Sequence, residues 1–199
     1  MWGEYIMKAL TVRQQVNRIN KYMANASASE VKQGLNWYSE ARGLCVQLAE
    51  RYHVSISQVA QVISVLSPQK KWETNKLEVV ALFNEVYNGI KPGFKYFATR
   101  QAIEECKAII IGNFSIPAKR TKTYSFADNI ADKESTEVTI DRHALRVAYD
   151  DKSATLDKVS TKQYREAREA YRIVADQHGV KAYEVQAITW VVYKRIVNR

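Results

Sequence analysis

From Val59 to Leu66 the chain runs Val-Ala-Gln-Val-Ile-Ser-Val-Leu, apolar almost throughout, and no other stretch constrains the fold as strongly. Ser55 followed three residues later by Gln58 forms a capping box, in which hydroxyl and amide each satisfy the other's backbone N–H. The run therefore opens as a helix. A helix this apolar is stable only when other helices surround it, so it is expected at the centre of a helical core. Pro68 ends it, because the residue before a proline is biased away from helical geometry.

The remaining chain supplies the surrounding elements. Residues 4 to 24 place Ile6, Leu10, Val16, Ile19 and Met23 at helical spacing, and Ser27 with Glu30 caps a second helix running to about Tyr52. Beyond Pro68, Trp72 to Tyr87 reads as a helix directed inward through Leu77, Val80, Ala81, Phe83 and Val86, followed by a loop at Asn88-Gly89 and Pro92-Gly93. Thr99 to Ile111 and Thr121 to Ile130 are short helices, the second with Tyr124, Phe126 and Ala127 inward. Val138-Thr139-Ile140 is β-branched and extended, Asp141 can cap a helix over Arg142 to Tyr149, and Ser160 with Gln163 caps a long helix ending near Gly179. Ala182 to Val197 is the last. Seven to nine helices without a credible sheet make the chain all-α.

Length and composition narrow the class. At 199 residues, 46% of them hydrophobic, the chain can bury a core without covalent staples. An excess of 30 Lys+Arg over 21 Asp+Glu leaves a net charge of +9, which favours polyanionic partners over acidic small molecules. Cys45 and Cys106 are the only cysteines and both lie in apolar helical patterns, so neither a disulfide framework nor a cysteine metal cluster is expected. No apolar run approaches the ~20 residues of a membrane span, and the N-terminus lacks the basic start and apolar core of a leader. A soluble, cytoplasmic, monomeric protein is expected.

Two stretches carry candidate chemistry. In Ile116-Pro117-Ala118-Lys119-Arg120-Thr121-Lys122-Thr123, Lys122 is either a solvated cation at a helix start or a nucleophile. A helix N-terminus and the neighbouring Lys119 and Arg120 favour its neutral amine, which can attack a sugar C1′. Asp141 is either a plain cap or a carboxylate placed to stabilise an oxocarbenium-like sugar, and the two roles are compatible. His143 reads as a structural hydrogen-bonding residue. The turn Ser67-Pro68-Gln69-Lys70-Lys71-Trp72 is either an ordinary loop or a wedge, with Gln69 filling the gap left by an extruded base while lysines hold phosphates. Lys162, Arg165, Arg168 and Arg172 recur at helical spacing as either a plain solvated face or one that tracks phosphates.

The order of these segments resembles a known family. The stretch from Ile116 to Thr123 resembles the L-P-G-V-G-x-K-T hairpin of endonuclease III-like DNA glycosylases, in the helix-hairpin-helix superfamily marked by a Gly/Pro-rich loop and an aspartate. Ile140-Asp141-Arg142-His143-Ala144-Leu145-Arg146-Val147 resembles that family's V-D-T-H-x-x-R-V, and Asp141 lies 19 positions after Lys122, close to the family's spacing. Upstream, Val65-Leu66-Ser67-Pro68-Gln69 followed by Asn75-Lys76 resembles its L-L-S-x-Q…N-K. The resemblance covers roughly residues 57–147. Ala118 and Arg120 stand where the hairpin has glycines, and the four-cysteine iron–sulfur loop has no counterpart.

The resemblance implies a single two-lobed helical domain over 1–199. Its central lobe is about 57–130 with the hairpin at 112–126, and its second lobe combines the N-terminal helices with 142–199. It further implies base-excision chemistry on double-stranded DNA: nucleotide flipping, cleavage of the N-glycosidic bond and abasic-site lyase action. Lys122 would be the Schiff-base amine and Asp141 the carboxylate assisting base departure. Gln69, Lys70, Lys71, Lys119, Arg120, Thr121, Thr123, His143 and Arg146 would contact DNA. No cofactor is implied beyond a monovalent cation at the hairpin. A non-catalytic DNA-binding accessory protein on the same scaffold is the alternative, and a module whose basic faces meet an acidic protein is a third.

Overall fold

The computed structural model describes residues 9–155, 157 and 160–197. Among these the chain is all-α, with nine helices and no strand. In order they are α1 (Val12–Ala24), α2 (Ala28–Tyr52), α3 (Ile56–Leu66), α4 (Trp72–Asn88), α5 (Arg100–Ile110), α6 (Thr121–Ala131), α7 (Arg142–Tyr149), α8 (Thr161–His178) and α9 (Ala182–Val197). Capping boxes set three starts, at Thr11 with Gln14, Ser55 with Gln58, and Ser160 with Gln163. The Ser27 and Glu30 pair closes in the same reciprocal way. The sequence predicted α1 from residue 4; the Thr11 box starts it at Val12, and Ile6 lies outside the described residues. Ser67, expected to leave helical geometry, keeps helical dihedrals at φ −71° and ψ −25°. The direction changes two residues later, at Gln69, whose φ is +56°.

The helices group into two compact units, Met1–Tyr38 with Thr136–Arg199, and Ser39–Ser135. The division falls inside α2. In the first unit α1 packs on α8, α7 and α9, and Ile19, Leu145, Tyr171, Val174, Val185 and Val192 form its buried centre. Val138 and Ile140 are buried in the same core and lead into Asp141.

In the second unit α3 is the central element, packed on α4, α5 and α6, with seven consecutive-turn positions from Val59 to Leu66 buried. The inner stripes of its neighbours are not the purely apolar ones expected. On α4 the buried positions are Asn75, Glu78, Val79, Leu82 and Phe83, whereas Leu77, predicted inward, is 65% exposed. On α6 they are Ser125, Ala127, Asn129 and Ile130, with Tyr124 and Phe126 only half-buried. The reason is the same in both helices: partnered polar residues occupy the stripe. Asn75 Nδ2 donates to the Ile63 carbonyl at 3.1 Å, and Asn129 Nδ2 donates to Ser135 Oγ at 2.9 Å.

Candidate functional site

The helix–turn–helix formed by α5, the turn and α6 is held by the polar edge of α3. Gln58, Gln61 and Ser64 lie three residues apart and so share one side of the helix. Gln58 Nε2 donates to the Ile109 and Ile110 carbonyls at 3.1 and 3.3 Å, holding the end of α5, where the Ile109 carbonyl also accepts from the Gly112 N–H at 3.0 Å. Gln61 Oε1 accepts from the Ile116 N–H at 2.7 Å, and the Ser64 hydroxyl donates to the Thr123 carbonyl at 2.7 Å. One face therefore fixes the end of the first helix, the approach to the turn, and the first turn of the second helix.

The turn closes when the Arg120 N–H donates to the Pro117 carbonyl at 2.9 Å. Positive φ occurs among the described residues at His53, Gln69, Gly89, Gly112, Asp150 and Gly179, so Ala118 and Arg120 close it without the left-handed geometry that needs glycine. Lys119 and Thr121 lie on the surface of this turn, exposed and half-buried respectively, and Thr123 is half-buried. Arg120 pairs with Glu105 of α5, which takes up much of its charge. Lys122, in the first turn of α6, is half-buried and pairs with no carboxylate among the described residues.

The Gln69 turn belongs to the same unit. The Lys70 N–H donates to the Ser67 carbonyl at 3.2 Å, and Gln69 stands exposed at its tip. A left-handed conformation at a non-glycine residue costs about 1–2 kcal/mol. Lys71 is exposed as expected, but Lys70 corrects the reading of two open lysines. Its side chain is only 4% exposed and ion-pairs with Glu78, itself 1% exposed. A buried ammonium facing a buried carboxylate is an anchor, not an open phosphate contact. The second carboxylate oxygen of Glu78 accepts from the Phe97 N–H, so the pair also ties down the loop after α4.

Asp141, in the other unit, caps α7. Its Oδ1 accepts from the His143 and Ala144 N–H groups at 2.9 and 2.8 Å, and its Oδ2 lies 3.2 Å from His143 Nδ1. His143 is further fixed by an edge-on contact with Tyr193, ring centroids 5.9 Å apart. Burial pushes the phenols of Tyr38 and Tyr171 above their ordinary range, and the negative field of Asp141 adds to both. These tyrosines stay neutral donors, as in the bond from Tyr171 to the Ala144 carbonyl at 3.1 Å. Arg146 is half-buried, its Nε donating to the Ala154 carbonyl at 3.3 Å.

Of the cationic face predicted on α8, Arg168 and Arg172 turn to Glu137, whereas Lys162 and Arg165 are exposed, Lys162 lying 3.9 Å from Glu166. Lys122, Gln69 and the turn cations thus belong to one unit and Asp141, His143 and Arg146 to the other. The sequence reading overlooked Glu78, Glu105 and the α3 edge. The signal available for the last was the polar triplet Gln58, Gln61 and Ser64 at helical spacing in an otherwise apolar helix.

Among the described residues no helix is long and apolar enough to cross a membrane, and no three His, Cys, Asp or Glu side chains cluster as metal ligands. Cys45 and Cys106 are both free and buried, and burial pushes the Cys45 thiol up to about 12. No curated protein and no solved structure matches the chain. The model of DUF7178, a family of unknown function, matches residues 4–197, and the chain belongs to that family.

Proposed function

We propose that the chain is a DNA glycosylase of the helix-hairpin-helix kind, which flips a damaged nucleotide out of duplex DNA and releases its base. The observation that carries this reading is Lys122: a half-buried amine in the first turn of α6, without a carboxylate partner among the described residues, while Arg120 near it is paired to Glu105. An unpaired amine held by an ordered turn is what attack on a sugar C1′ requires. With the abasic aldehyde it forms an imine with loss of water. Proton loss from C2′ then expels the 3′ phosphate, giving the lyase step. Asp141 stabilises the sugar cation as the base departs, and Gln69, exposed on a strained turn, fills the vacated stack.

Borohydride trapping tests it. The protein incubated with abasic and base-damaged duplexes should give a covalent adduct that Lys122→Ala abolishes and Lys119→Ala retains. Absence of an adduct on every duplex removes the lyase step, and absence of base release as well removes the enzyme.

One observation favours a second reading, a non-catalytic DNA-binding accessory protein. Oδ1 of Asp141 is engaged by two backbone N–H groups and Oδ2 faces His143, so the carboxylate serves its own helix. DNA binding that survives Asp141→Asn, with no base release from any modified duplex by the wild type, would establish that reading.

A further inference from the structure

Between Glu85 and Glu104 the chain has no acidic residue, yet it carries Lys91, Lys95 and Arg100 together with Phe94, Tyr96 and Phe97. The nearest carboxylates are already engaged. Glu78 holds Lys70 and the Phe97 N–H, and Glu85 holds Lys107 at 2.9 Å and the Tyr96 hydroxyl at 2.9 Å. Glu73 holds Lys76 at 2.8 Å. Lys91, Lys95 and Arg100 are all exposed, and none forms an ion pair with a carboxylate among the described residues, although the charge of Lys91 reaches Glu85.

The same ties orient the loop. With the Tyr96 hydroxyl and the Phe97 N–H turned toward α4, the Phe97 ring is left 80% exposed. Phe94 stands edge-on to Tyr96, centroids 5.9 Å apart, and lines a groove of about 470 Å³ with Leu77, Ile90 and Pro92. Leu77 is exposed because the inner stripe of α4 is filled by Asn75 and Glu78, and Ile90, in the loop that follows, is exposed beside it. The result is an anchored loop that presents flat apolar faces between unpaired cations.

We propose that the loop from Ile90 to Arg100 is a binding platform for unpaired nucleotides, with bases stacking on Phe97 and seated in the groove beside Phe94. Lys91, Lys95 and Arg100 hold the phosphates. Stacking on an exposed ring needs a base whose face is free, which a single strand offers and a paired duplex does not. The cations supply the sequence-independent attraction to the backbone. Self-association through this patch would bring the same three cations of two copies together. The proposal does not rest on the glycosylase reading, since it needs neither Lys122 nor Asp141.

The test is fluorescence anisotropy with a labelled oligothymidylate of about ten nucleotides and with a duplex of similar length. Phe97→Ala should weaken single-strand binding about tenfold and leave duplex binding within about twofold. Lys91→Gln with Lys95→Gln should lower the salt slope for the single strand by about 0.7 per lysine. Phe97→Trp should keep the affinity and add an indole emission that the oligonucleotide quenches, a signature of stacking that a merely structural role lacks. Because Phe97 is so exposed, these variants should melt with the wild type. The proposal is overturned if the wild type does not bind the single strand, or if Phe97→Ala affects single strand and duplex equally. It is also overturned if the variant instead abolishes dimerisation in sedimentation, or binding to phosphatidylserine vesicles, without changing oligonucleotide affinity. Any of these results leaves Lys122-dependent trapping untouched, so the two proposals fail separately.

Discussion

Replacing Asp141 separates its structural role from its proposed chemical one. Asp141→Ala removes the acceptor of two backbone N–H bonds, at 2.9 and 2.8 Å, from the first turn of α7. Loss of such a cap costs about 1–2 kcal/mol. Asparagine caps as well as aspartate, so Asp141→Asn forfeits only the favourable placement of a negative charge at a helix N-terminus, about 0.3–1 kcal/mol. At about 2–4 °C per kcal/mol for a chain of this size, the melting midpoint should fall by about 2–8 °C for alanine and about 1–4 °C for asparagine. Thermal melts by circular dichroism read the first effect, and single-turnover base release from damaged duplexes reads the second. Stability should grade from wild type through asparagine to alanine, whereas base release should be lost equally in both variants. Equal destabilisation by the two substitutions would refute the capping account. Full base release by Asp141→Asn would refute the chemical role.

Three further outcomes follow from the packing. A Cβ on Gly34 would meet Ile188 Cγ1 at 2.5 Å and its Cα at 2.6 Å, so Gly34→Ala should destabilise by about 1–3 kcal/mol in urea unfolding, while Gly43→Ala, with open space around it, should not. Lys70→Met leaves Glu78 charged and buried and should cost about 3–5 kcal/mol, with partial recovery in Lys70→Met combined with Glu78→Gln. The hydrogen bond from Arg195, at 2.6 Å, with a further one from the Ser27 N–H, lowers the Glu30 carboxyl from 4.5 to about 2. A lowered carboxyl contributes stability that is present above about pH 4.5 and lost as pH falls toward about 2. Acid titration of stability should therefore lose about 1–2 kcal/mol more in the wild type than in Glu30→Gln, a figure reduced for the solvent screening of Arg195.

Helix starts were legible where a local cap was recognised, and missed at α1, where the Thr11 box sets the start at Val12 and not at residue 4. The boxes at Ser55 and Ser160 and the Asp141 cap involve residues two or three apart, and each closes as written in the chain. Which face turns inward was legible only where apolar residues alone decide it, as in α3. On α4 the apolar pattern pointed Leu77 inward, and the structure gives that place to Glu78, because a tertiary partner, Lys70, makes its burial possible. The same pairing withdraws Lys70 from the candidate DNA contacts. Nothing in the turn itself signals that one of two adjacent lysines is buried; the information lies eight residues away, on the next helix.

Polar groups on the inward-facing helices share a feature that bears on function: several of them, buried like Glu78 and Asn129 or half-buried like Gln61, hold loops. Gln61 reaches Ile116 before the turn, Glu78 reaches both Lys70 and Phe97, and Asn129 reaches Ser135 beyond α6. Apolar contact is non-directional and tolerates a loop sliding by an ångström, whereas a hydrogen bond to one backbone atom does not. A protein that must present Lys122, Gln69 and the Phe94–Phe97 loop in defined positions therefore gains from polar ties at their bases, and a buried polar group costs little once its partner is fixed. These ties predict a division among variants. Trimming an apolar residue of the α3 core should lower stability while leaving binding and trapping intact at temperatures where the fold persists. Gln61→Leu or Glu78→Gln, by contrast, should impair the function of the loop each one holds even where the fold survives.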